Sequence, residues 1–133
     1  KIQAEVNSIL SQIVEFEILF DTDGKSINTY IVYDSENYWP LEMTSGMEKF
    51  ISSLAIRTAL INISSLPRPN FIGIDEGWGT LDSDNLNSIS MFFDYMKTQF
   101  DFLLTISHID ALRDIVDNVI DIHKENGFSS VRF

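Results

Sequence analysis

Asp75 and Glu76 stand side by side at the end of the apolar run Phe71-Ile72-Gly73-Ile74. Adjacent carboxylates at the exit of a buried strand need a cation or a proton-transfer task to offset their desolvation. Phosphoryl transfer supplies both tasks: one carboxylate holds the water shell of Mg²⁺, and the other orients and deprotonates the water that attacks a terminal phosphate. Taken alone, the pair reads equally as solvated acidic residues closing a strand. The chain contains no Gly-rich loop followed by Lys and Ser or Thr, so the part of such a site that cradles phosphates is missing from it.

Two further segments carry groups of the same chemistry. Ser45 and Gly46 precede an apolar helical pattern, where unpaired N–H groups and the positive dipole end favour a phosphate. The spacing of Ser45 and Glu48 also fits a capping box, and by itself Ser-x-x-Glu means only a capped helix. His108 follows the apolar run Phe102-Leu103-Leu104-Thr105-Ile106. If that run is a strand parallel to Phe71–Asp75, the imidazole opens onto the crevice that receives Asp75 and Glu76. His123, near a turn, has no assigned role.

The elements that must position these groups are legible in the periodicity. Ile2, Val6, Ile9, Leu10, Ile13 and Val14 recur at helical spacing. Residues Glu17–Phe20, Ile27–Tyr33 and Tyr38–Leu41 then read as a small antiparallel meander, with turn chemistry around Gly24. From Ser45 the pattern becomes a well-buried helix, ended by Pro67 and Pro69. Asn70–Asp75 is a continuous apolar strand of the kind covered on both faces in parallel sheets. Asp82, Ser83, Asp84 and Asn85 are N-cap candidates for a helix with Ile89, Phe92, Phe93 and Met96 on its core stripe. Strand Phe102–Ile106, a short helix through Leu112, strand Asn118–Ile122, a turn at Glu125-Asn126-Gly127 and a closing strand Ser129–Phe133 complete the chain. This order predicts an α/β layer with a largely parallel sheet that lacks its opening βα unit.

Composition narrows the function classes. A chain of 133 residues with 44% hydrophobic content can build one compact core. No apolar run approaches the roughly 20 residues of a membrane span, and no membrane association is expected. The formal net charge of −11 argues against a broad nucleic-acid-binding face on this chain. The absence of Cys removes disulfides and thiolate chemistry and fits a reducing compartment. The chain opens on Lys1 with no leader pattern, as expected of an internal or C-terminal piece.

The segments Ser45-Gly46-Met47-Glu48-Lys49, Ile72-Gly73-Ile74-Asp75-Glu76, Leu81-Asp82 and Ile106-Ser107-His108 follow one another in an order that resembles the C-terminal half of an ABC-type ATPase head. The corresponding features there are the signature motif, Walker B strand with catalytic Glu, D-loop and switch His. The run Asp75-Glu76-Gly77-Trp78-Gly79-Thr80-Leu81-Asp82 is most similar to the SbcC/Rad-fifty branch of the SMC-like DNA-repair ATPases, whereas transporters usually carry Pro at the position of Gly77. The signature motif usually has a second Gly where Met47 stands.

The resemblance implies a single C-terminal lobe: residues 1–16 a helix at the base of a coiled coil, 17–44 the meander, and 45–133 the nucleotide-related region. It implies that Asp75 coordinates Mg²⁺ through water, that Glu76 is the general base and that His108 senses the γ-phosphate. Ser45, Gly46, Met47, Glu48 and Lys49 would reach ATP held by a second subunit, and Asp82 would link the two sites. The partners implied are an N-terminal P-loop lobe on the same or another chain, a second head in an ATP-sandwiched homodimer, an SbcD-type metallophosphoesterase nuclease, and double-stranded DNA through the complex. ATP hydrolysis would then need the P-loop lobe, and closure of the heads would gate the nuclease in double-strand-break repair. The setting implied is the cytoplasm of a prokaryote or virus-infected cell, or a eukaryotic nucleus. Two alternatives stay open: a chromosome-tethering SMC or RecN-like head without a nuclease, and a degenerate, non-hydrolysing dimerisation module.

Overall fold

The computed structural model describes residues 1–80 and 86–132. Helix α1 (Ile2–Leu10) buries Val6, Ile9 and Leu10. It is shorter than the apolar spacing through Val14 predicts, and the cause is local. The Ser8 carbonyl accepts from the Ser11 hydroxyl and from Gln12 Nε2, both at 3.0 Å, while the Gln12 N–H turns to Ile9. Side chains therefore take the acceptor that the next helical turn would use. The chain continues as a turn to Val14, whose N–H still bonds Leu10.

The meander forms as expected. Strands β1 (Glu17–Thr22), β2 (Ile27–Val32) and β3 (Tyr38–Pro40) make one antiparallel sheet in sequential order. Helix α1 lies along the free edge of β1. A helix advances about 6 Å in four residues and a strand about 7 Å in two. Gln3 and Asn7, one helical turn apart, therefore meet Phe20 and Ile18, alternate residues of the strand. The Phe20 N–H donates to Gln3 Oε1 at 3.0 Å; the Ile18 N–H donates to Asn7 Oδ1 at 2.8 Å, and Asn7 Nδ2 donates to the Ile18 carbonyl at 3.1 Å. An edge that would otherwise present unpaired backbone groups is satisfied by side chains.

Helix α2 (Gly46–Ile63) is the spine of the molecule: Met47, Ile51, Leu54, Ala55, Thr58 and Ala59 are all buried along it. Strands β4 (Phe71–Asp75) and β5 (Phe102–Ile106) pair in parallel, joined by helix α3 (Leu86–Gln99), whose buried stripe is the expected Ile89, Phe92, Phe93 and Met96. The N-cap candidates Asp82, Ser83, Asp84 and Asn85 lie outside the described residues. Ile74 joins the core, and Ile72 and Leu103 pack against it. The opposite face of the pair is bare. Phe71 and Phe102, partners in the register, are each 59% exposed, and Leu104 and Ile106 stand beside them in the open. The strand composed for two covered faces has one covering among the described residues.

The end of the chain departs from expectation. The strand placed at Asn118–Ile122 forms instead at Asp121–Glu125 (β6), and it pairs antiparallel with β7 (Phe128–Arg132), not with β5. The intervening Asn126 and Gly127 both have positive φ, 51° and 84°, the geometry of a tight hairpin turn that joins neighbours in sequence. Local pairing of this kind needs no crossover, and among the described residues the parallel sheet stops at two strands. A 3₁₀ turn at Asp110–Asp114 replaces the expected short helix, and Arg113 bonds Asp110 and both carboxylate oxygens of Asp121, tying the hairpin to this turn.

Replacing Asn7 by Ala is expected to lower the unfolding free energy by about 1–2 kcal/mol, because both backbone groups of Ile18 lose their partners. Urea denaturation with an unchanged slope measures it; no change in midpoint would mean that water replaces the side chain without cost.

Candidate functional site

The sequence candidates fall into two separate places. The first is the open end of β4 and β5. The Glu76 N–H donates to the Ile106 carbonyl at 3.0 Å, extending the parallel ladder one residue past the strand. There the backbone turns sharply: Glu76 has φ 61° and Gly77 φ 97°, so successive residues occupy the left-handed region. A non-glycine residue held there costs about 1–3 kcal/mol and persists only where its surroundings impose it.

The surroundings are aromatic. Trp78, directly after Gly77, is completely buried, stacked on Phe93 of α3 at 5.4 Å and edge-on to Phe50 of α2 at 4.7 Å. Trp78 is therefore a core residue and not a surface available to a partner. A Cβ on Gly77 would overlap the Phe50 ring. Proline, which fixes φ near −65°, is incompatible with this turn; that accounts for Gly77 at this position.

The turn leaves Asp75 and Glu76 exposed. Glu76 Oε2 lies 3.4 Å from Nδ1 of His108, which follows the neighbouring strand. The parallel register thus brings together three of the expected site residues. Asp82 lies outside the described residues.

The second place is the start of α2. Ser45 Oγ accepts from the Glu48 N–H at 3.2 Å, and the Ser45 N–H donates to Glu48 Oε2 at 2.6 Å, so the expected capping box is present. Ser45 and Lys49 are exposed, and Gly46 is partly so. Met47 turns inward and is only 7% exposed, leaving the outer surface of Ser45 and Gly46 clear. Beside them opens a groove of about 680 Å³ that reaches Ser45, Glu48 and the start of α3 at Asn87 and Ser88. It is lined by none of Asp75, Glu76 or His108.

One residue here was not legible in the sequence. The Tyr33 hydroxyl donates to Glu48 Oε1 at 2.7 Å. Burial, the hydrogen bond to Glu48 and its charge, with Glu15 adding to it, push the phenol up to about 12. For Glu48 itself burial works upward, but the bonds from Ser45 and Tyr33 and the charge of Lys49 prevail, and its carboxyl is held below the ordinary value. Fifteen positions, including all of β3 and a 3₁₀ turn, separate Tyr33 and Glu48, so no local pattern announces the pair.

No family model matches the chain. It is 38% identical over 98% of its length to an uncharacterized protein of Acanthamoeba polyphaga mimivirus. It is 29% identical over 88% of its length to the probable DNA double-strand break repair Rad50 ATPase of Aquifex aeolicus, and 32% identical over 66% to the SbcC component of the SbcCD nuclease of Pseudomonas aeruginosa. The chain spans 11%, 12% and 7% of those three relatives. Among solved structures it superposes on a chain from work on ATP-driven dimerization and DNA-stimulated activation of SMC ATPases, with a TM-score of 0.79 at 16% identity, covering 98% of this chain and 81% of that one. The SMC head domain from Thermotoga maritima gives a TM-score of 0.70 at 20% identity, covering 98% of this chain and 46% of that one.

Two outcomes are expected of this geometry. Gly77→Ala should destabilise the fold by about 1–2 kcal/mol from the positive φ alone, and more as Phe50 is displaced; thermal unfolding at neutral pH measures it. Because the carboxyl of Glu48 is lowered in the folded state, its contribution to stability is present above its ordinary value of 4.5 and is lost as pH falls through the folded value. Glu48→Gln should therefore remove part of the acid limb of the stability profile, read from unfolding midpoints between pH 7 and acid conditions.

Proposed function

As a homologue of the SbcC/Rad50 ATPases with the fold of an SMC head, this chain, we propose, supplies two half-sites for ATP, each completed by another body. The observation that carries the reading is the Glu76 turn, which costs backbone strain to hold a carboxylate in the open beside His108. Strain maintained by a buried Trp at a solvent-facing carboxylate suits a catalytic group better than a solvated strand end.

The residues fit ATP and Mg²⁺. Asp75 and Glu76 are exposed at the mouth of a parallel strand pair, where ligands of open α/β sheets bind. Asp75 would hold the ion through a water, and the bound ion neutralises charge on the transferring phosphoryl group. Glu76 orients the attacking water and accepts its proton. His108 offers an N–H to the terminal phosphate, and its proximity to Glu76 lets loss of that phosphate be felt at the base. Asp82 would join this half-site to the next.

The Ser45 end serves the other nucleotide. Ser45 is exposed at the N-terminal end of α2, where the first-turn N–H groups and the positive dipole end favour an anion. Ser45 and Gly46, with Glu48 and Lys49 behind them, would therefore face a phosphate held by a second head. The groove beside Ser45 is lined by none of Asp75, Glu76 or His108, which supports this division. The bare face of β4 and β5 is a surface that an N-terminal P-loop lobe would cover. Burying it would remove several large apolar side chains from water at roughly 25 cal/mol per Å².

ATP would close two heads, and hydrolysis would release them. In the reading based on the SbcC relatives, the cycle gates a metallophosphoesterase nuclease acting on double-stranded DNA ends in repair and recombination. The fold likeness to SMC heads favours a second reading, a chromosome-tethering head without a nuclease. Co-purification of the full-length protein with a metallophosphoesterase decides between them. The inward Met47 argues against a degenerate module.

Alone, this lobe should neither bind ATP tightly nor hydrolyse it. Joined to its P-loop lobe it should turn over ATP, and Glu76→Gln should reduce that rate by at least about 10²-fold while retaining an ATP-bound dimer. Turnover of the Gln variant at the parental rate would overturn the assignment.

A further inference from the structure

In a simple capping box, the glutamate at the third helical position uses one oxygen to return the N-cap bond and leaves the other in water. Here the second oxygen is held. Glu48 Oε2 receives the Ser45 N–H, and Oε1 receives the Tyr33 hydroxyl at 2.7 Å. Both oxygens being engaged, the carboxylate cannot rotate without breaking a charge-assisted bond.

Tyr33 is itself anchored away from α2. Its N–H donates to the Asn37 carbonyl at 2.9 Å, in the loop that follows β2. Its ring meets Phe16 edge-on, with centroids 5.8 Å apart. Phe16 is buried and lies immediately before β1, at the corner where the chain leaves α1. A continuous series of contacts therefore runs from the α1–β1 corner through Phe16, Tyr33 and Glu48 to Ser45. The Tyr33 side of it borders the groove beside Ser45. Tyr33 is 48% exposed, more than a ring retained only for core packing requires.

We propose that Tyr33 is a positioning residue for Ser45, fixing the Glu48 carboxylate so that the setting of the α1–β1 corner is transmitted to the end of α2 that faces phosphate. The proposal rests on the reading of Ser45 as a contact to ATP held by a second head. Any displacement of the corner relative to α2 would change the Tyr33–Glu48 bond before it changed the buried core. Contacts to the P-loop nucleotide within one head would be unaffected, because Tyr33 acts only on the half-site used in the dimer.

The test uses the full-length protein with its P-loop lobe. Tyr33→Phe keeps the ring against Phe16 and removes the hydroxyl alone. It should raise the ATP concentration for half-maximal head dimerisation by about three- to tenfold, within the range of one ordinary net hydrogen bond. ATP affinity of the dilute monomeric head should stay at its parental value, and the unfolding midpoint should fall by no more than the loss of one hydrogen bond costs. Glu48→Gln, which also unsettles the bond, should shift dimerisation in the same direction. Ser45→Asp separates the two roles: Asp still caps a helix but sets a negative charge against phosphate. If Ser45→Asp blocks dimerisation while Tyr33→Phe behaves as the parent, the role of Tyr33 is overturned and the reading of Ser45 stands. If Ser45→Asp dimerises normally, that reading fails and the proposal fails with it. If Tyr33→Phe weakens monomer ATP binding to the same extent as dimerisation, Tyr33 is merely structural and the proposal is overturned.

Discussion

The insertion of Trp78 between Phe50 and Phe93 is the interaction on which the candidate site depends. The indole is large and wholly buried, so removing it would open a cavity costing about 3–5 kcal/mol. That is more than the strain of the left-handed backbone just before it. The order of energies matters: with the ring fixed, Gly77 and Glu76 have no lower-energy route from β4 into the core, and Glu76 is carried outward. The same packing forbids a side chain at Gly77, because the Phe50 ring occupies its space. A hydrophobic contact thereby sets the position of a charged group that it never touches.

The sheet imposes a second constraint. Parallel strands arise from crossovers that cover both faces, and β4 has the composition of such a strand. In this chain α3 covers one face and the other carries Phe71, Phe102, Leu104 and Ile106 in the open. The hairpin β6–β7 does not relieve this, since it pairs with itself. Its tie to the rest runs through Arg113, whose bonds lower the carboxyl of Asp121. An apolar face adjoining the carboxylates is coherent in a molecule whose chemistry is finished by a second body on that side.

What could be read from the sequence was what neighbours along the chain decide. The capping box at Ser45 and Glu48 is a spacing, the stripe of α3 is a period, and β4 is a run; all three formed as read. The meander was legible for the same reason. The early end of α1 was not, because two side chains competing for the Ser8 carbonyl leave no mark on hydrophobic spacing. The turn at Asn126 and Gly127 and the closing strand formed as read, but the strand before them was placed three residues early, and it pairs across that turn instead of joining the parallel pair. Asn7 with Ile18 and Tyr33 with Glu48 were invisible altogether: each joins residues distant in sequence whose types alone are ordinary. The candidate residues came from the resemblance, and the groups that hold them in place left no mark in the sequence.

Helix α2 then relates the two proposed half-sites mechanically. Ser45 caps it, and Phe50 lies five residues on, about 7.5 Å along the axis. Within little more than one turn, the same helix presents a hydroxyl to one side and wedges a ring against Trp78 and Gly77 on the other. Close-packed interiors yield by discrete rearrangement and not by gradual deformation. A shift of this turn large enough to move Ser45 must therefore carry Phe50 with it, and Phe50 cannot move while Trp78 and Gly77 keep their places. Two sites that share no lining residue are in this way joined by one rigid turn, and the strain stored at Glu76 sits at the end of that connection, where a small change in the fit of Phe50 against Trp78 would reach it first.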